Sequence, residues 1–200
     1  MGPMPDRSFP SVTLDSAGIR LRPPTAADVP AVAEACADDL IQAWLPLPNP
    51  YTEADARWFC LDFARGQQAS GAGLVLVIEL AGHLAGAIDL NRTDWRSRTT
   101  DIGYWTAPWA RGRGVMTAAV ALLARWVLAG QGFARVQVRA ATGNIASQRV
   151  AEAAGFTREG VQRSAGVTHS GRVDLVVYSL IEADLAGQAP PEPVRPPAAG

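Results

Sequence analysis

The sequence predicts a mixed α/β fold, in which seven strands form a mostly antiparallel sheet with one parallel β-α-β crossover and about four helices. Three features indicate this fold. Several segments alternate apolar and polar residues, as half-buried strands do. Two apolar segments, 74–80 and 84–90, are joined by a short turn containing glycine, which is typical of a hairpin. A strand, a helix and a second strand follow one another over 102–140, which requires a right-handed parallel crossover.

The length and composition of the chain fit a single domain. It has 200 residues, of which 48% are hydrophobic, enough to bury roughly two-thirds of the unfolded surface. We expect this domain at 11–186, after a flexible segment at 1–10 that lies outside the core. Five of the fifteen prolines lie in 187–200, so we expect a disordered, proline-rich tail there.

Two capping boxes mark the beginnings of the first helices. An alternating strand at 19–22 leads into Thr-Ala-Ala-Asp at 25–28, and Thr-Glu-Ala-Asp stands at 52–55. In such a box, the first and last side chains each accept a hydrogen bond from the other residue's backbone N–H. The pattern therefore predicts one helix after each box, the second reaching about Arg65.

A proline-rich aromatic segment, 44–51, separates these two helices. Its prolines exclude regular structure. Trp44 and Tyr51 are therefore candidates for a substrate-binding wall. The alternative is a rigid connector in which Trp44 covers the core.

The second half of the chain supplies the crossover and the end of the sheet. Apolar spacing predicts a helix from Val115 to Gly130, and Asn144 is placed to cap a short helix that ends before Gly155. The remaining strands are expected at 102–106, 135–140, 157–163 and 172–181. The last two are joined by 164–171 and are expected to pair antiparallel.

The most informative segment is DIGYWTAPWARGRGV, residues 101–115. In it, a strand leads through a basic glycine turn into the long helix. Bare N–H groups at 111–114 would lie at a helix N-terminus, which attracts anions. The alternative is an ordinary turn with solvated arginines. The spacing fits neither GxGxxG nor a P-loop, which argues against those phosphate sites.

This turn resembles the coenzyme A motif of the Gcn5-related N-acetyltransferases (GNAT). The resemblance covers about 19–185 and includes the Asn-x-x-Ser pattern formed by Asn144 and Ser147. It is closer to the branch that acetylates the N-termini of ribosomal proteins. The resemblance implies acetyl-CoA as co-substrate and a primary amine as acceptor, either a protein N-terminal α-amine or a small-molecule amine.

The resemblance also implies which residues contact acetyl-CoA. Strand residues would bind pantetheine, and a backbone N–H near Trp105 would be the oxyanion donor. The basic turn would bind pyrophosphate. The Asn-x-x-Ser helix would approach the thiol and the adenosine phosphate. The expected pantetheine contacts are Tyr104, Trp105 and Thr106. The expected pyrophosphate contacts are Arg111, Gly112, Arg113, Gly114, Val115 and Met116. The expected contacts from the Asn-x-x-Ser helix are Asn144, Ser147 and Arg149.

Candidate catalytic groups follow from the chemistry of amide formation. An alkylammonium must lose a proton before it can attack, and Asp101 is the first candidate base, with Glu79 and Asp89 in reserve. The alternative for Asp101 is a strand-edge carboxylate that lies in solvent or is bonded to Arg92, Arg96 or Arg98. Ser147 is the candidate proton donor to the departing thiolate, and Tyr178 is a weaker one. The sequence has no Ser-His-Asp or Cys-His arrangement, which favours direct transfer over an acyl-enzyme.

Composition limits the kinds of binding partner and the cellular location that we expect for this protein. The net charge of -1 gives no footprint for nucleic acid or a membrane surface, and two histidines cannot form a histidine metal cluster. Without an export signal or long apolar run, a cytoplasmic monomer or homodimer is expected, with no metal. Two other functions stay open: a catalytically idle acyl-CoA-binding sensor or assembly domain, and transfer of a larger acyl group such as succinyl.

Overall fold

The computed structural model describes residues 7–187 and Val194. The strands are β1 Leu14–Ser16, β2 Ile19–Arg22, β3 Leu74–Leu80, β4 His83–Asp94, β5 Thr99–Thr106, β6 Arg135–Ala141, β7 Thr157–Thr168 and β8 Gly171–Leu180. The α-helices are α1 Val29–Cys36, α2 Asp39–Trp44, α3 Glu53–Arg57, α4 Ala64–Ser70, α5 Val115–Arg125 and α6 Ile145–Ala153. Wider π-helical turns join α3 to α4 and extend α5 to Gly130.

The strands form one sheet in the order β1-β2-β3-β4-β5-β6-β8-β7. Its only parallel neighbours are β5 and β6, joined by α5, and the other pairs are antiparallel. The predicted mixed fold with one crossover is therefore confirmed. The sheet has eight strands rather than seven, because Leu14–Ser16 pairs with β2. Three residues are too few for alternation to reveal a strand.

The parallel pair separates soon after it begins. Only Thr99 to Asp101 pair with Arg135 to Gln137. Beyond them β6 continues against β8 as far as Ala141, while β5 continues against β4 as far as Thr106. The carboxyl ends of β5 and β6 therefore diverge, and a cleft opens between them.

The two faces of the sheet are covered by different helices. The larger core contains the buried side of α5, including Val115, Val120 and Leu123, packed against the sheet. A smaller core on the helices α1 and α3 contains Val32 and Ala56. The sheet thus separates two apolar layers, and the cleft lies where neither layer closes it.

Both capping boxes form as predicted. The N–H of Thr25 donates to Asp28 at 2.7 Å, and the N–H of Thr52 donates to Asp55 at 2.8 Å. The first box begins a short 3-10 turn before α1. The second begins a helical segment that continues to Ser70, beyond the predicted end.

The N-terminal segment is not wholly outside the core, which corrects one expectation. Phe9 is 1% exposed and lies 4.8 Å from the ring of Trp95 and 5.3 Å from that of Phe133. One apolar residue among polar neighbours and prolines gave no periodic signal. Val194, in the predicted tail, is buried and donates its N–H to the carbonyl of Ala17. The rest of both terminal predictions, 1–6, 188–193 and 195–200, lies outside the described residues.

Within residues 7–187 and at Val194, no helix is both long enough and apolar enough to cross a bilayer.

Candidate active site

A cavity of about 600 Å³ fills the cleft between β5 and β6. Its walls come from the diverging strands, the beginnings of α5 and α6, the end of α2 and the β7–β8 hairpin. The candidate residues that line it are Trp44, Tyr104, Trp105, Thr106, Arg111, Gly112, Gly114, Val115, Met116, Asn144, Ser147 and Arg149. The fold therefore gathers most of the predicted site into one cavity.

The glycine turn has the geometry of an anion site. Gly112 and Gly114 have φ values of 72° and 81°, which other residues adopt only with strain. Gly114 is the N-cap of α5, so the first N–H groups of an eleven-residue helix face this end of the cavity. No atom lies within 4 Å of the position that a Cβ would take at either glycine.

The two arginines of the turn have protein partners. Arg111 forms an ion pair with Asp38 at the beginning of α2, and hydrogen bonds from Arg111 hold the pKa of the Asp38 carboxyl below its usual value. The Nε of Arg113 donates to the carbonyl of Trp109 at 3.0 Å. Arg113 is absent from the cavity lining, which Arg111 reaches. Both arginine side chains are thus engaged with other parts of the protein, while the backbone N–H groups at the beginning of α5 lie at the cavity.

The register of β5 changes the predicted oxyanion donor. Ala107 donates its N–H to Ala85 of β4 at 2.9 Å, and Trp105 pairs with Ala87 in the same register. Because backbone groups alternate sides along a strand, the N–H of Trp105 also points towards β4. The N–H groups of Tyr104 and Thr106 point towards the cleft instead. The candidate donors near Trp105 are therefore the N–H groups of its two neighbours.

Asn144 and Ser147 form the beginning of α6 as predicted. The side chain of Asn144 accepts a hydrogen bond from the N–H of Ser147 at 3.1 Å, which caps the helix. The Ser147 hydroxyl lies 2.9 Å from that of Tyr104. Burial raises the pKa of Tyr104 to about 12, so its hydroxyl stays protonated at neutral pH. The hydrogen-bonded hydroxyl groups of Ser147 and Tyr104 thus lie in the wall of the cavity. From the sequence, Tyr104 was expected only to bind pantetheine.

Tyr178 lies elsewhere, which corrects its candidate role as a proton donor. Its side chain is 0% exposed in the larger core, and its hydroxyl donates to Glu152 at 3.0 Å. It is absent from the cavity lining. A position on the last strand could not reveal which tyrosine would reach Ser147.

Asp101 is paired with an arginine, the alternative that its sequence context left open. The carboxylate lies 2.5 Å from Arg139 and 4.0 Å from Arg92. Burial raises the pKa of Asp101, and Arg139 opposes that shift. Arg139 lines the cavity and was not singled out from the sequence; its place in an alternating strand gave no hint of its partner. The carboxylate is therefore fixed in position but not free of a cation.

The wall opposite the glycine turn is largely apolar. Trp44 lies in it, and a Cβ at Gly143 would come within 3.1 Å of the indole. Gly166 to Thr168 of the β7–β8 hairpin form another part. Tyr51 does not line the cavity: it packs against the smaller core, and burial raises the pKa of its hydroxyl. Of the two candidates for a substrate-binding wall, Trp44 therefore lies in the cavity lining and Tyr51 does not.

Comparison with known proteins identifies the family. The family model described as "Acetyltransferase (GNAT) domain" matches residues 19–157. The chain belongs to this family. This GNAT protein is an acetyl-CoA-dependent N-acetyltransferase, as the family match and a curated relative together show.

That relative is a Bacillus subtilis (strain 168) protein named "Putative ribosomal N-acetyltransferase YdaF". It is 32% identical over 166 residues, which cover 80% of this chain and 91% of the relative. A crystal structure named "Probable acetyltransferase" is 30% identical, with a TM-score of 0.78 over 86% of this chain and 98% of the other. Mycobacterium smegmatis RimJ, solved with a CoA-disulfide, is 23% identical, with a TM-score of 0.79 and 89% coverage of both chains. It shares the fold.

Proposed function

We propose that this GNAT enzyme acetylates the α-amine at the N-terminus of a ribosomal protein. The observation that carries the proposal is the cavity itself, which joins the glycine turn at one end to a partly apolar wall at the other. Arg139 in its lining holds the buried carboxylate of Asp101. The first end suits a phosphorylated thioester and the second an amine on a peptide. The ribosomal name of the B. subtilis relative supports this choice of acceptor.

The donor site would use backbone more than side chains. The amides at the beginning of α5 would hold the pyrophosphate, with Gly112 and Gly114 leaving room for its oxygens. The free N–H groups of Tyr104 and Thr106 would bind pantetheine along the edge of β5. One of them would donate to the thioester oxygen on which negative charge develops.

The linked hydroxyl groups would serve the departing thiolate. Ser147 would donate its proton to the sulfur, and Tyr104 would in turn donate to the serine oxygen, 2.9 Å away. The amine would attack the thioester carbon directly. Such proton transfer from a positioned side chain contributes about 10²- to 10⁴-fold to a rate.

Calorimetry with Gly114→Glu tests the donor site. Glutamate would place a negative charge in the turn, and we expect acetyl-CoA binding to be lost. Gly132→Glu is the matched control, since Gly132 also has positive φ, 66°, and open space around it but does not line the cavity. Equal binding by wild type and Gly114→Glu would contradict the proposed pyrophosphate site.

An acceptor screen tests the amine. Peptides with the N-terminal sequences of ribosomal proteins are compared with the same peptides carrying a blocked N-terminus and a free lysine, and with small amines. Mass spectrometry is expected to locate the acetyl group on the α-amine. Turnover of small amines alone would overturn the proposed acceptor, while transfer from succinyl-CoA at an equal rate would overturn the choice of donor.

A further inference from the structure

The three candidate bases differ in their partners. Glu79 accepts a hydrogen bond from Arg22 at 2.9 Å, and Asp101 lies 2.5 Å from Arg139. Asp89 accepts from the neutral amide of Asn91 at 2.8 Å. In the part of the chain that the structure describes, Asp89 is in no ion pair, so its negative charge is not already neutralised by a cation.

Asp89 lies against the wall of the cavity because the opposite residue is a glycine. Asp89 pairs with Gly103 between β4 and β5, and Gly103 lines the cavity. A Cβ at Gly103 would stand 2.6 Å from Oδ1 of Asp89. The carboxylate therefore extends over β5 in the space that a side chain would fill. Asn91 holds Oδ2, which leaves Oδ1 as the oxygen next to the glycine.

We propose that Asp89 receives the proton that the acceptor ammonium loses before it attacks the thioester, and that Asp101 is a positioning residue beside it. This inference rests on the proposed N-terminal amine acceptor. The ammonium would lie over Gly103, where Oδ1 accepts its proton. Asp101, held by Arg139, keeps negative charge on the same face without serving as the base.

The protons of the reaction balance with this assignment. The ammonium gives one proton to Asp89, and the free electron pair on nitrogen forms the C–N bond. When the C–S bond breaks, the nitrogen loses a second proton. One of the two ends on the CoA sulfur through Ser147, and the other leaves Asp89 for solvent. The products are the amide, the CoA thiol and one released proton.

The electrostatics of the site suit this task. Burial, with a smaller contribution from the negative charge of Asp101, raises the pKa of Asp89 to about 6. A peptide α-amine has a pKa of about 7.7–8.0. The pKa difference between the ammonium and the Asp89 carboxyl is therefore small, which favours proton transfer between them. The other charged groups on this face of the sheet include Arg92, Arg135 and Arg139, which act on Asp101. They also include Arg22, which is paired with Asp28 and Glu79. The Cys36, Tyr51 and Cys60 side chains belong to the smaller core packed on the same face.

The test compares kcat/KM against pH for wild type and Asp89→Asn, with acetyl-CoA and an N-terminal peptide. Wild type is expected to lose activity below about pH 6 and to keep it near neutrality. The variant can use only acceptor that is already neutral. Its kcat/KM at pH 7 is expected to be lowered about tenfold, since about a tenth of an amine with a pKa near 8 is neutral at that pH, and to rise with pH up to the pKa of the amine.

Two controls separate this role from a structural one. Asp62→Asn removes one exposed carboxylate away from the cavity and is expected to leave the profile unchanged. Calorimetry with acetyl-CoA shows whether Asp89→Asn is folded. If it is not, Gly103→Ala gives the second test, since its methyl group would displace Oδ1 and lower kcat while acetyl-CoA still binds.

The outcomes distinguish the two proposals. Failure of wild type to acetylate any N-terminal peptide overturns the proposed acceptor. An active wild type together with a folded Asp89→Asn of equal rate and profile overturns the role of Asp89 alone. Loss of the acidic limb in Asp101→Asn, with Asp89→Asn unaffected, assigns the proton to Asp101 instead.

Discussion

Ser147 and Tyr104 lie 43 positions apart in the chain, and their hydroxyl oxygens are 2.9 Å apart. The serine also contributes its N–H to the cap that Asn144 provides. Its backbone therefore stabilises α6, while its side chain is available for chemistry. At the residue scale, one position can thus serve both purposes, because the cap needs only the backbone N–H of Ser147.

We expect Ser147→Ala to lower kcat by about 10²-fold or more, with a smaller rise in the KM for acetyl-CoA. The cap survives, since Asn144 accepts from a backbone group that alanine retains. Steady-state kinetics of Ser147→Ala, Tyr104→Phe and the double variant check this. Because the two groups act as a unit, the double variant is expected to be little worse than the serine variant alone. An unchanged kcat would remove Ser147 from the mechanism.

The role of an individual residue was predictable where that role depends on residues close to it in the sequence. The caps at Asn144 and Thr52 and the glycine turn each involve residues within a few positions of one another. The partners of Asp101 and Tyr178 come from distant elements, so no local pattern could indicate them. The identity of the oxyanion donor depends on the register of β5. If the register changed by one residue, each backbone N–H of the strand would face the opposite edge.

At the scale of elements, α2 connects the two ends of the site. Its N-cap Asp38 accepts from the N–H of Ile41 at 3.1 Å and forms the ion pair with Arg111 of the glycine turn. Its last residue, Trp44, lies in the cavity wall. One short helix therefore extends from the glycine turn to the part of the cavity wall that contains Trp44.

We expect Asp38→Asn to strengthen CoA binding by about threefold to tenfold, because it removes a carboxylate beside an anion site. Asparagine still caps α2. Asp38→Ala also loses the cap, so its free energy of unfolding is expected to fall by about 1 kcal/mol. Calorimetry at low and high salt and urea unfolding measure the two effects.

Asp55→Asn is the matched control for this prediction. Asp55 is a capping-box carboxylate at the beginning of α3 and does not line the cavity, so CoA binding should not change. Weaker binding in Asp38→Asn would mean that the ion pair orients Arg111 towards the ligand and would contradict the expected sign.

At the scale of the whole molecule, residues before and after the strands in sequence, Phe9 and Val194, complete the larger core. Phe9 packs among Trp95, Trp126 and Phe133, which come from the β4–β5 turn, the end of α5 and the beginning of β6. It therefore closes the edge of the core beyond the crossover helix. The segment that carries Phe9 belongs to the fold.

We expect Phe9→Ala to lower the free energy of unfolding by about 3–5 kcal/mol, the range for truncating a buried phenylalanine. Urea unfolding measures the change. Trp58→Ala serves as the control, since Trp58 is 56% exposed and its loss is expected to cost less than about 1 kcal/mol. An unchanged midpoint in Phe9→Ala would show that the segment does not contribute to the core.

The sequence by itself determined seven of the eight strands, the main helices, the crossover, the helix caps and the glycine turn at the beginning of α5. Each of these features follows from a short-range sequence pattern: alternation of apolar and polar residues, a capping box, or a glycine that permits positive φ. The tertiary structure alone decided that β5 and β6 diverge after Asp101, that Asp89 extends over Gly103, and that Tyr104 rather than Tyr178 meets Ser147. These depend on sheet register and on packing between distant segments, because contacts across a fold leave no periodic trace in the chain.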